Sequence, residues 1–396
     1  MAVYITLVAI LALLSVLEQD PKVKWPGQVA ALLLILFGGL RYETGFDWVE
    51  YESYFDLMQP IWSKEPQYVE SSLAVEPGFA LLTLLIRSLA IPFQGLLFAI
   101  TAINITIIYF FARRYTHRLA FCLFVYYGFV FLGGQMAAVR QTLSYSFILL
   151  AFVQRDQGRY WRSIWLIAIA TSIHTFSIVF GPLIFLRKFK IPFFAVVILV
   201  ATGVATALYG FYIVPLAAEF VSSVMGGGFL ATKLTLYGDY EGAALSYASL
   251  SLIPLHLLVF YLLNSVDFEL AKPKSTLTYF TISVTLLSLL CHSYLGLFPA
   301  LWNRVGYLTF LLQPIALAQR YRAYLVNKEL TLLVSGLVGV ASTVMFVYTF
   351  SSPTSLPFIP YQNAAVVWLT NNPGDGRSRY SYALRQAEIE SANKRR

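Results

Sequence analysis

Charge is what this chain has least of. Only 12% of its 396 residues are Asp, Glu, Lys or Arg, against roughly 25% in soluble domains. In contrast, 58% are hydrophobic. That balance excludes a soluble globular enzyme, a disordered chain and a nucleic-acid binder. Cysteine is scarce too. Cys122 and Cys291 are the two, both inside apolar runs, so there is no disulfide framework to read. Histidine numbers four, and no Cys/His cluster has metal-ligand spacing. There is also no D-x-D pair, so neither a metal nor another cofactor is expected. The formal net charge of +8 could suit an acidic polymer, but its basic residues sit in short clusters between apolar runs. That is the pattern of cytoplasmic loops in a membrane protein.

Apolar runs are what the chain has in plenty. A spanning helix needs about 20 residues to cross a hydrocarbon core of about 30 Å. Candidate runs are 1–17, 26–40, 93–111, 119–134, 136–153, 191–213, 246–264, 277–295, 299–318 and 330–350. The first lacks a basic leader region and a small-residue cleavage site, so it reads as a helix. Runs 76–91 and 163–186 are ambiguous.

The basic clusters decide between the alternatives. They are Lys22/Lys24, Arg113/Arg114/Arg118, Arg155/Arg159/Arg162, Arg187/Lys188/Lys190, Lys272/Lys274 and Arg320/Arg322/Lys328. All fall on one side only if 76–91 does not cross and 163–186 enters and returns as two short helices with a tip near His174. Broken helices are tolerated at membrane depth only where they line a protein cavity, so a water-filled vestibule opening outward is expected there. The expected fold is all-α, a polytopic membrane protein of about twelve helices, two of them short or broken. Residues 1–350 form one membrane domain. Its outer loops are 41–92 and 214–245, and a polar tail runs over 351–396.

Polar residues gather on the outer side. Residues 41–76 hold eight of the chain's twenty acids, which could simply be a solvated loop. The spacing Arg41-x3-Gly45-x-Asp47-x3-Tyr51 is more specific: a cation, a flexible turn, a carboxylate and an aromatic. Arg140, beside Gln141 in the run 136–153, is costly at membrane depth and calls for a bundle interior or cavity. The plainer alternative is an arginine that snorkels to headgroups. Arg304, with Tyr307 on the same helical face, presents the same choice. His174 is either a satisfied core residue or a site residue at a hairpin tip. In the loop 214–245, Lys233, Tyr237, Asp239, Tyr240 and Glu241 form a polar-aromatic string suited to a sugar chain or merely to water.

Six motifs in order resemble the EpsG family of bacterial polysaccharide polymerases, part of a wider Wzy-like group. They are Arg41-Tyr-Glu-Thr-Gly45-Phe-Asp47-Trp-Val-Glu-Tyr51, Glu76-Pro77-Gly78-Phe79, Arg140-Gln141-Thr-Leu143, Ile173-His174-Thr-Phe-Ser177, Arg304-x2-Tyr307 and Pro360-Tyr361. Trp48 departs from the family, where tyrosine is more usual. So does Thr142-Leu143-Ser144, where the family often has a small residue such as alanine. The resemblance implies a GT-C-like glycosyltransferase bundle in the bacterial cytoplasmic (inner) membrane, its active site facing outward. It implies polymerisation of undecaprenyl-diphosphate-linked repeat units into exopolysaccharide, capsule or O-antigen, with a flippase and a chain-length regulator as possible partners. In that reading Arg140, Arg304 and Arg41 hold the diphosphate, because guanidinium binds phosphate oxygens bidentately. His174 or Asp47 is the catalytic proton acceptor. Gln141, Tyr51, Glu76, Tyr307, Tyr237 and Tyr361 contact substrate. The alternatives are a lipid-linked oligosaccharide flippase or an O-antigen ligase-like glycosyltransferase.

Overall fold

A computed structural model describes residues 1–20, 22–64, 75–186, 191–209, 247–265, 275–296, 298–323, 328–351, 353–371 and 374–394. The loop 214–245, with Tyr237, lies outside the described residues, as do Arg187, Lys188, Lys190, Lys272 and Lys274. Among the described residues the fold is helical, with one isolated β-bridge between Arg41 and Asn363.

The helices are α1 (Ala2–Leu17), α2 (Pro26–Gly39), α3 (Trp48–Leu57), α4 (Pro77–Ser88), α5 (Phe93–Tyr115), α6 (Leu119–Tyr126), α7 (Val139–Asp156), α8 (Tyr160–Ile173), α9 (Phe180–Phe185) and α10 (Phe193–Leu208). There follow α11 (Tyr247–Asn264), α12 (Thr276–Tyr294), α13 (Pro299–Ala323), α14 (Lys328–Ser351), α15 (Ala364–Thr370) and α16 (Gly376–Lys394). α6 continues as a π-helix over Tyr127–Gln135, and 3₁₀ turns span Thr175–Val179 and Pro353–Phe358. Three helices among the described residues are long and apolar enough to cross a membrane: Phe93–Tyr115, Thr276–Tyr294 and Glu329–Ser351. Several shorter apolar helices accompany them.

The bundle has an apolar core threaded by a polar network, and its outer face is apolar as well. Leu13, Leu32, Phe110, Trp165, Phe194 and Val340 lie exposed on six different helices. At its centre Asn104 donates to Gln135 (3.0 Å) and Thr142 (3.2 Å) and accepts from Ser146 (3.0 Å). Gln135 donates to Thr101 at 3.2 Å. With hydrocarbon outside there is no hydrophobic drive between helices, so close packing and such hydrogen bonds hold them together. Close packing is visible where α14 meets the π-helix: a Cβ on Gly128 would lie 2.5 Å from the Ser342 carbonyl oxygen.

Contacts sort the helix ends into two sets. At one end the Tyr4 hydroxyl donates to Phe358 O (2.6 Å), and Gln94 reaches Gly39 O and Arg41 O (2.9 and 2.7 Å). At the other, Glu18 accepts from the N–H groups of Leu119, Ala120 and Phe121, and Arg114 pairs with Asp156 at 3.7 Å. Also there, Asn264 donates to Ile191 O (2.8 Å) and Ser275 to Gln319 (2.8 Å). The basic positions 22, 24, 113, 114, 118, 155, 159 and 162 all belong to this second end.

Neither ambiguous run forms one continuous span-length helix. α4 follows Glu76, which pairs with Arg140, and leads through residues 89–92 straight into the start of α5. It therefore leaves from and returns to one end. α8 has 14 residues, about 21 Å at 1.5 Å per residue, too short to span alone. It stops at His174, whose backbone turns extended (φ −151°, ψ 112°). The 3₁₀ turn and α9 then run back until Arg155 meets Phe185 O at 3.4 Å.

One boundary moves. The run 136–153 suggested a helix with Arg140 about a turn inside. α7 starts only at Val139, because the π-helix and residues 136–138 use up the preceding stretch. Arg140 therefore stands in the first turn.

Candidate functional site

The site forms where α7 begins and α8 breaks. Arg140 at the start of α7 donates through Nη1 to Glu76 Oε2 at 2.7 Å, and through Nε to the Tyr51 hydroxyl at 3.4 Å. Its guanidinium lies 5.5 Å from the Tyr51 ring centroid and 5.9 Å from that of Phe79. A cation at a helix N-terminus opposes the helix dipole, so a carboxylate partner there offsets two costs, burial and the dipole. Glu76 is well suited to that role. It precedes Pro77, the first residue of α4, where proline's missing N–H costs nothing.

The second Glu76 oxygen faces the hairpin tip. Oε1 accepts from the Thr175 N–H (3.3 Å) and hydroxyl (3.2 Å). His174 Nδ1 lies 3.4 Å from the same oxygen, close but not aligned as a hydrogen bond. α4 can come this close to α8 because residue 78 is glycine: a Cβ there would lie 2.8 Å from the Ser172 backbone. Ser177 donates to Ser144 at 2.7 Å, which ties the tip to α7. Burial alone would raise the Glu76 carboxyl, but the His174 contact and the Arg140 charge outweigh it and hold it down at about 2. Glu76 is therefore an anion throughout the physiological range.

Arg304 closes the other flank. Its guanidinium lies 5.7 Å from the Phe176 ring centroid. Its backbone carbonyl accepts from the Tyr145 hydroxyl (2.7 Å) and from Gln141 (3.4 Å), and Gln141 also donates to Tyr145 at 2.9 Å. Asp47 is at the mouth. Its carboxyl is exposed on one side yet crowded by protein on the others. That loss of water, with Glu50 nearby, pushes it up to about 6, while the charges of Arg140 and Arg304 pull the other way. Tyr307 lies within electrostatic reach of both Asp47 and Arg304. Its hydroxyl approaches the π-helix where Gly133 leaves room, since a Cβ there would be 2.6 Å from it.

The structure thus brings together Arg140, Glu76, His174, Tyr51, Gln141 and Arg304, with Asp47 and Tyr307 at the edge. It sets two other predicted residues apart. Arg41 is 1% exposed and donates to Gly38 O at 2.8 Å. Tyr361 stacks on Phe37 (centroids 4.4 Å apart) and donates to its carbonyl at 2.8 Å. These two pack among α1, α2 and the tail, and Arg41 reaches the site only electrostatically, through Tyr51. In place of the open vestibule expected at the hairpin tip, the side chains are packed: Arg140, Glu76 and His174 are 15%, 6% and 11% exposed. Sequence reasoning missed Thr175, Phe176 and Ser144 as parts of the site. The first two lie inside the His174 motif; Ser144 is signalled only by its spacing from Arg140. Among the described residues no group of three or more His, Cys, Asp or Glu is placed to hold a metal ion.

Ionisable groups gathered at the edge of an apolar-shelled bundle are costly to bury, which makes this cluster the candidate site. The class is a membrane protein, helical among its described residues, with a buried charged cluster at one end of the bundle. The chain belongs to the EpsG family, whose model matches residues 24–363. No curated protein and no solved structure shows a significant match. Family and apolar helices together suggest a polysaccharide-polymerase-type membrane protein.

Proposed function

We propose that this chain is a polysaccharide polymerase that joins lipid-diphosphate-linked repeat units at the outer face of the bacterial cytoplasmic membrane. The observation that carries the reading is the Arg140–Glu76–His174 cluster with Arg304, set at the end opposite the basic loops. In the reaction an acceptor hydroxyl attacks the anomeric carbon of the donor glycan. The bond from that carbon to the diphosphate oxygen breaks, and undecaprenyl diphosphate departs. Negative charge grows on the leaving group, and fixed cations in a site shielded from water stabilise it. Arg140 and Arg304 supply that charge. Glu76 holds the Arg140 fork in orientation at 2.7 Å. The acceptor proton passes to Asp47. Its carboxyl, raised to about 6, is basic enough to accept a proton and still ionised at neutral pH. His174, fixed beside Glu76, is the second candidate.

The test is deletion of the gene in its host, complemented with wild type or Arg140→Ala, followed by sizing of lipid-linked glycans. Single repeat units accumulating in the outer leaflet, with no long polymer in the deletion or the variant, support the reading. Units held in the inner leaflet mean a flippase. Long lipid-linked polymer means a ligase-like transfer is the missing step.

A further inference from the structure

The family match ends at residue 363, yet α16, beyond it, is fastened to the loop that carries Asp47. That loop is strained. Glu43 and Asp47 have φ of 44° and 58°, and Gly45 has φ of 107°. Non-glycine residues rarely adopt such conformations, which persist only where their surroundings over-determine them. At Gly45 a Cβ would lie 2.5 Å from the Met136 carbonyl oxygen, so the bundle leaves no room for any other residue.

The remaining constraints come from the tail. The N–H groups of Tyr42 and Gly45 donate to Gln362 O (2.8 Å) and Pro357 O (3.0 Å). Gly376, the first residue of α16, donates to Glu43 Oε2 at 2.9 Å, and a Cβ on it would lie 2.2 Å from the Glu43 carbonyl oxygen. The helix start therefore lies flat against the loop. Arg379 joins three carbonyls: Glu43 at 3.3 Å, Leu356 at 3.4 Å and Pro357 at 3.3 Å. Beyond the strained stretch Tyr380 donates to Glu50, and Arg377 pairs with Glu52. Tyr380 also lies within electrostatic reach of Asp47.

We propose that α16 is a positioning strap, in which Gly376, Arg379 and Tyr380 hold the strained 43–47 loop so that Asp47 faces Arg140 and Arg304. None of the three touches substrate; each acts through Asp47. The proposal rests on reading Asp47 as the proton acceptor. A misplacement of about 1 Å can cost about 100-fold in rate, so loosening the strap has a measurable effect without unfolding the bundle.

The experiment uses the full-length protein in lipid nanodiscs as wild type, Arg379→Ala, Arg379→Lys and Tyr380→Phe. Two quantities are read: polymerisation of a lipid-diphosphate-linked repeat unit across pH, and amide hydrogen exchange of segment 41–52. In Arg379→Ala, kcat is expected to fall at least about tenfold with KM for the donor unchanged. The acid limb of its pH profile shifts, and exchange of 41–52 accelerates. Arg379→Lys recovers part of the loss. Unchanged kcat and acid limb in Arg379→Ala overturn the proposal, whatever exchange does. Should Arg379→Ala also loosen α5 and α12, Tyr380→Phe decides on the same criteria, because it keeps the ring. If exchange of 41–52 accelerates while even the wild type makes no polymer, the strap stands and the polymerase reading falls.

Discussion

At the residue scale, the site depends on which groups are paired rather than on how many charges it holds. Arg140 and Glu76 form a shielded pair, and breaking such a pair strands a charge at a cost of about 3–5 kcal/mol. Glu76→Ala is therefore expected to lower thermal stability in detergent by that order. Arg140→Ala is expected to slow polymerisation by at least about 100-fold, since one preorganised donor to a developing oxyanion is worth that much. Arg140→Lys keeps a charge but not the two-pronged fork and should recover only part of the rate. Assays of the two variants at equal membrane levels separate charge from geometry; equal full activity in both would remove Arg140 from the site. Asp47 gives a pH prediction. Its working form is the carboxylate and its value is raised to about 6. Activity should therefore be lost as pH falls through about 6 and be present above it. Asp47→Asn should abolish most activity and that limb together; an unchanged limb in the residual activity would assign the base to another group.

At the element scale, much was legible and the reasons are physical. Long apolar runs and the one-sided basic clusters were enough to place the helices and to require the α8 hairpin, because charge cannot be left at membrane depth. The break at His174 follows from the same constraint. The register of α7 was not legible. The π-helical stretch Tyr127–Gln135 and the three residues after it leave no composition signal distinct from an ordinary apolar helix. The Glu76–Arg140 pair joins residues 64 positions apart, which no local pattern encodes. The tail helices were not legible either, since α16 is polar and gains its order from contacts with loop 43–52. Gly78 stands in the sequence as one member of a motif, and its reason is steric. Gly78→Ala should push α4 off α8 at Ser172, cost about 1–3 kcal/mol as overpacking does, and displace Glu76. Polymer yield should fall more than protein level does. Equal falls in both would reduce Gly78 to a packing residue.

At the scale of the whole molecule, the basic loop clusters make a claim about sidedness. Basic residues 22, 24, 113, 114, 118, 155, 159 and 162 gather at one end, beside Glu18 and Asp156, while the opposite end, with the tail and the site, mixes acids 43, 47, 50, 52, 56 and 76 with Arg41, Arg140, Arg304, Arg377 and Arg379. Cytoplasmic loops carry the excess of Lys and Arg, so the site end should face outward. The chain is well suited to a direct test. Its native thiols, Cys122 and Cys291, are buried and leave a clean background. Ser381 on α16 and His117 before α6 are both exposed and lie at opposite ends. In intact spheroplasts a membrane-impermeant maleimide should label Ser381→Cys and spare His117→Cys until the membrane is opened. The reverse pattern would place Arg140, Glu76 and Arg304 in the cytoplasm. An enzyme with that topology could not act on repeat units already flipped to the outer leaflet, so this one experiment bears on orientation and reaction together.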